Sequence, residues 1–130
     1  MIYHTFSHLP GIGEKLEQRI WRSGILTWDA FLAASDIEGI SSQRKKLYDE
    51  KLFVCQNALE NRDAVYLGQV LKRREHWRLF DVFRGDAVYI DIETNGLHPT
   101  QGGYPTVVCL YDGFDSLSLV YGENLTADNL

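Results

Sequence analysis

The spacing of apolar residues changes once along this 130-residue chain, near Gly85, and that change constrains the fold more than any other feature. Before it, apolar positions recur three and four residues apart. After it they alternate, or run in short stretches bounded by Gly, Pro, Asn-Gly and Asp-Gly. A helical period and a strand period cannot substitute for one another, so the chain must place helices first and a small group of strands afterwards. This predicts an α+β or α/β chain with a helical region over 1–80 and a strand-bearing region over 86–130.

In the front region, Glu14 to Ser23 holds Leu16, Ile20 and Trp21 at helical spacing, and Gly24 stands where a C-terminal cap belongs. Thr27 is the expected N-cap of a short helix carrying Trp28, Phe31 and Leu32. Ser41 or Ser42 starts a longer helix with Tyr48, Leu52, Cys55 and Leu59 on one face, and Asp63 caps another through Val65, Leu67 and Leu71. The most basic stretch follows, Lys72 to Arg78, with His76 and Trp77 among four cations. Trp77 suits either base stacking or a place in the core, and the six Phe and the remaining aromatics are most simply core. Further on, Ala87 to Glu93, Thr106 to Tyr111 and Leu117 to Tyr121 read as three strands. An irregular loop through Asn95, Gly96, Pro99, Gly102 and Gly103 separates the first two, and Asp112-Gly113 turns between the last two. Leu125 to Leu130 resembles the opening of a helix.

Composition enters through charge. Residues 1–80 carry 12 Lys+Arg and 10 Asp+Glu, whereas residues 81–130 carry one and eight. A mildly basic front and a strongly acidic back imply two units with different tasks. No apolar run is long enough for a transmembrane helix, so no membrane partner is expected. Met1 to Pro10 includes His4, Ser7 and His8 and does not read as a signal peptide. Two cysteines, Cys55 and Cys109, are too few for a disulfide framework, and a cytoplasmic location is expected. His4 and His8 lack the company a zinc site needs, and neither Ser-His-Asp nor Cys-His catalysis has support.

On the first strand, Tyr89, Asp91 and Glu93 share one face, and Val88, Ile90 and Ile92 share the other. Two carboxylates roughly 6.6 Å apart along a rigid strand can bind one divalent ion or bracket a pair. The same alternation appears on any half-solvated strand, so the spacing alone leaves both readings open. Asn95-Gly96 does not form a hairpin turn, because Leu97 to Gly103 cannot form a return strand. The dipeptide instead opens a loop beside the carboxylates.

The run Val88-Tyr89-Ile90-Asp91-Ile92-Glu93-Thr94-Asn95-Gly96-Leu97 resembles the first motif of ribonuclease H-like 3′–5′ exonucleases with four acidic metal ligands, apolar-D-x-E-T-x-G-L. The strand–loop–strand–turn–strand order is similar to the first three strands of that fold. The whole chain resembles the YprB-like branch of predicted nucleases. The resemblance implies that Asp91 and Glu93 are catalytic metal ligands for two Mg²⁺ or Mn²⁺ ions. It also implies that Thr94, Gly96 and Leu97 line the pocket of a terminal nucleotide, Leu97 against its base. The substrate would be DNA or RNA with a single-stranded end. The two later Asp ligands of that family have no counterpart here, so an incomplete ribonuclease H-like fold, inactive as this chain alone, is expected.

Leu9-Pro10-Gly11-Ile12-Gly13 before a helix resembles the hairpin of helix-hairpin-helix modules, which grip nucleic-acid backbones. Glycines allow close approach to a phosphate, the helix start favours an anion, and Lys15 and Arg19 lie on one face. A tight turn into a packed helix explains the same residues, and Glu14 and Glu17 oppose an anion there. Besides the exonuclease fragment, two further readings therefore stand. One is a non-catalytic nucleic-acid-binding module that uses Gly11, Gly13, Lys15 and Arg19. The other is a protein-interaction domain whose strand edge a partner covers.

Overall fold

The computed structural model describes residues 1–129 and divides into two compact units, Met1–Arg84 and Gly85–Leu130. The first is helical: α1 (Glu14–Arg22), α2 (Trp28–Ala33), α3 (Ser42–Glu60), α4 (Ala64–Val70) and α5 (Phe80–Phe83). A 3₁₀ turn over Ile2–His4 precedes α1, and a longer 3₁₀ segment, Arg73–Leu79, runs between α4 and α5. Three of these helices, α2, α3 and α4, begin where a side chain accepts an orphan N–H. Thr27 accepts from Ala30, Ser41 from Arg44 and Asp63 from Tyr66.

One buried cluster holds this unit together. It includes Ile2, Phe6, Ile20, Trp28, Phe31, Tyr48, Leu52 and Leu67, all essentially inaccessible. The N-terminal segment has little regular structure of its own, so side chains of the helices secure it. The indoles of Trp21 and Trp28 donate to the carbonyls of His4 and Thr5 at 2.9 and 2.8 Å. The buried Glu17 carboxylate accepts from the Phe6 and Ser7 amides and from the Thr5 hydroxyl, at 2.6, 3.1 and 2.7 Å. A buried carboxylate is tolerable only with such a full set of donors. Lys45, also buried, spends its charge on both oxygens of Asp49 at 2.7 Å.

The second unit is a three-stranded antiparallel sheet in the order β1-β2-β3, formed by Tyr89–Thr94, Pro105–Tyr111 and Ser116–Val120. The architecture as a whole is α+β. β1 lies at the sheet edge and pairs Asp91 with Cys109 and Glu93 with Val107, before the register shifts between Glu93 and Thr94. The turn after β2 is made by Asp112, whose carboxylate accepts from the amides of Phe114 and Asp115, with Gly113 at φ +102°.

Several expectations need correction. Trp77 is not core: it is 62% exposed, with the Arg78 guanidinium 4.5 Å from its ring centroid. Phe53, Phe80 and Phe114 are exposed as well, since α3 carries a single buried stripe and Phe114 sits in the tight turn. Residues 125–129 form turns, not the start of a helix, with the Asn129 amide closing onto Thr126; the last residue of that expectation, Leu130, lies outside the described residues. Among the described residues, no helix is long and apolar enough to cross a membrane.

Candidate functional site

Strand alternation puts Asp91 and Glu93 on one face of β1, both exposed, with regular pairing to β2 beneath them. Neither side chain makes a hydrogen bond or ion pair with another described residue. The unit that carries them contains seven Asp+Glu and no Lys or Arg in its sequence from Gly85 onward. Two hard oxygen donors stand side by side, available to a divalent ion. Among the described residues, no group of three or more His, Cys, Asp or Glu side chains is gathered around a common point.

The loop after β1 is ordered by its own polar atoms. The Thr94 hydroxyl accepts from the Gly96 amide, and the Asn95 side chain accepts from Leu97 and Tyr104 while donating to the Gly102 carbonyl. The Asn95 amide also reaches the Tyr104 carbonyl at 3.1 Å, which closes the loop at its base. Gly96 takes φ +77° and so occupies a left-handed position that a side chain would strain. Gly103 is needed for a different reason: a Cβ there would lie 2.1 Å from the Leu97 carbonyl oxygen.

Thr94 and Leu97 line a cavity of about 510 Å³ together with Ile90, Ile92, Tyr104 and Val108. Ile90 and Ile92 belong to the face of β1 opposite Asp91 and Glu93, so the carboxylates and the cavity occupy opposite sides of the strand. Gly96 shapes the loop without lining the cavity.

In the first unit, Gly11 adopts φ +75° and Gly13 is the N-cap of α1, with no side chain to accept from the helix start. Ile12 is buried between them and anchors the turn. Lys15 and Arg19 are exposed on α1, whereas Glu17 faces inward and is consumed by Thr5, Phe6 and Ser7. Sequence reasoning missed Arg44. Its guanidinium donates to the Pro10 carbonyl at 3.3 Å and to the Tyr48 hydroxyl, and Tyr48 itself donates to Pro10 at 2.6 Å. The hairpin is thus clamped to α3 from 34 residues away, with a cation against Gly11. Only the cation in Arg44-Lys45-Lys46 hinted at this. Comparison with family models, curated proteins and solved structures finds no match to this chain.

Proposed function

We propose that the second unit is the beginning of a divalent-metal-dependent 3′–5′ exonuclease domain of the ribonuclease H-like type, acting on phosphodiester bonds at a single-stranded end. The observation that carries this reading is the pair Asp91 and Glu93, unengaged and exposed on one strand face, within the sequence D-x-E-T-x-G-L. The donor set fits Mg²⁺ or Mn²⁺, which accept one or two protein carboxylates and fill the remaining positions with water and phosphate oxygens. Bound there, such an ion lowers the pKa of water and stabilises the charge developing on a phosphoryl group. The electrostatics support the same reading. A unit with seven acidic and no Lys or Arg side chains repels a phosphodiester, and a cation between them removes that repulsion. Asp91 and Glu93 are the residues that would hold the ion.

The test is Mn²⁺ added to the full chain, read by paramagnetic broadening of backbone amide signals. Broadening should centre on residues 90–94 and vanish in Asp91→Ala and in Glu93→Ala; signals that broaden elsewhere, or not at all, defeat the reading. With two carboxylates and no third ligand gathered beside them, the chain should not hydrolyse a labelled single-stranded oligonucleotide in Mg²⁺. Degradation that disappears in Asp91→Ala would show that two ligands suffice.

A non-catalytic nucleic-acid-binding role for the first unit is favoured by a separate observation, the clamped hairpin with Gly11 at positive φ and Arg44 against it. Replacing Lys15 and Arg19 together by Gln should weaken low-salt DNA binding and reduce its salt dependence by about two phosphate contacts. Unchanged affinity removes the hairpin from the interface.

A further inference from the structure

The 3₁₀ segment Arg73–Leu79 holds an exposed indole among cations, and its side chains are fixed from beneath. The His76 ring lies 2.9 Å from the Gly68 carbonyl, which ties the segment to α4. Glu75 pairs with Arg78 at 2.5 Å, both side chains largely sheltered, and Arg78 in turn stacks against Trp77. Trp77 therefore stands on an anchored guanidinium with most of its surface open. Lys72 and Arg73 are exposed and make no ion pair with another described residue, and Arg74 is 68% exposed with only a 3.5 Å approach to Glu75. One carboxylate in the segment is already committed, so its net charge is strongly positive.

We propose that Trp77, flanked by Lys72, Arg73 and Arg74, is a binding platform for single-stranded nucleic acid, on which an unpaired base stacks while the cations meet the adjoining phosphates. Every base offers a π face, so such a platform is tolerant of sequence, and the cations make its affinity salt-dependent. A guanidinium behind the indole removes one face from solvent and holds the ring in place, so little side-chain freedom remains to be lost on binding. The choice of a polyanion follows from charge complementarity: Lys72 and Arg73 are exposed without an ion pair among the described residues, and Arg74 is 68% exposed, within five residues of the ring along the segment. Single-stranded substrate is favoured over duplex because stacking needs an unpaired base. The platform belongs to the first unit, whereas Asp91 and Glu93 belong to the second, and it needs no metal ion.

The experiment is titration of the full chain with fluorescein-labelled oligo-dT in EDTA at low salt. The variants are Trp77→Ala, Trp77→Phe and the triple variant Lys72→Gln/Arg73→Gln/Arg74→Gln. Loss of one stacked base weakens binding about fivefold or more, so Trp77→Ala should do this while Trp77→Phe retains most affinity. The triple variant should lower the slope of log affinity against log salt by about 2, at roughly 0.7 per single-strand phosphate contact. Binding that persists in EDTA separates this proposal from the metal reading. Because Trp77 is exposed, all variants should retain the parent circular dichroism. Parent-like affinity in Trp77→Ala overturns the proposal, as does absence of binding. Equal affinity for duplex, for poly-Glu or for anionic phosphatidylglycerol vesicles, each insensitive to Trp77, would make the segment a generic cationic face and overturns it too.

Discussion

The two units treat their apolar residues in opposite ways. In the first, a single cluster from Ile2 to Phe83 buries 16 hydrophobic side chains among the described residues. In the second, only Val108 and Leu119 reach that degree of burial, while Ile90 and Ile92 are 61% and 55% exposed on the same sheet face. A three-stranded sheet with half its apolar face open buries little area per residue, and at about 25 cal/mol per Å² it has little with which to offset chain entropy. The contrast extends to charge: the first unit mixes both signs, whereas the second has no Lys or Arg. The first unit is thus specified by contacts among its own residues. The second carries the exposed carboxylates Asp91 and Glu93 on one face of β1 and the open apolar surface of Ile90 and Ile92 on the other.

Paired core substitutions put the largest strain on this comparison. Phe31→Ala removes a ring packed on Phe6 and Tyr48, at centroid separations of 5.1 and 6.3 Å, and should cost about 4 kcal/mol. Ile90→Ala, at an exposed position, should cost less than about 1 kcal/mol. Urea titration of each variant, followed by far-ultraviolet circular dichroism for the helices and by amide signals for the sheet, provides both numbers. If Ile90→Ala proves as costly as Phe31→Ala, something covers the apolar sheet face in solution and the contrast between the units fails.

The features legible in the sequence are those decided within a few residues. Thr27, Ser41 and Asp63 cap helices because a short polar side chain reaches an amide two or three positions ahead, whatever the rest of the chain does. Asp91 and Glu93 share a face because a strand has period two, and Asp112-Gly113 turns because the carboxylate serves the next amides. Distant neighbours decided the rest. Glu17 read as an exposed opponent of an anion, but the chain before α1 folds back over it and supplies three donors. Arg44 stands in the basic run Arg44-Lys45-Lys46, and only the packing of α3 brings it to Pro10. Trp77 was open to two readings because an indole serves equally in a core or against a base, while the 3₁₀ path leaves its ring outside. The start of β1 fell at Tyr89, two residues after the β-rich run begins, because Ala87 and Val88 have no partner on β2.

A smaller effect sharpens the comparison by separating the units along the pH axis. His8 packs its ring 5.3 Å from that of Trp28, and both ring nitrogens are buried without a hydrogen-bond partner among the described residues. Burial, helped by the positive charge of Lys51, lowers its pKa from 6.5 to about 4. The unfolded chain then binds a proton that the folded unit refuses between those two values. Stability is therefore full above pH 6.5, falls by up to about 1.4 kcal/mol per pH unit on the way down, and levels off below pH 4. The accumulated loss is about 3.4 kcal/mol, somewhat less than the Phe31 cavity. In the second unit, Asp112 titrates in a different window. Hydrogen bonds from the amides of Asp115 and Phe114 hold its carboxyl below 3.8, so its contribution is intact above that value and is lost only at more acid pH. Urea midpoints measured from pH 7 to 4 should fall for the helices and hold for the turn at Asp112, and His8→Phe should flatten the helical profile. A helical profile that stays steep in His8→Phe would assign the acid sensitivity to another group. The unpaired ring nitrogens of His8 cost desolvation at every pH, and the lowered pKa adds a further cost only where the ring takes a proton on unfolding, so at neutral pH the first unit is spared that second part.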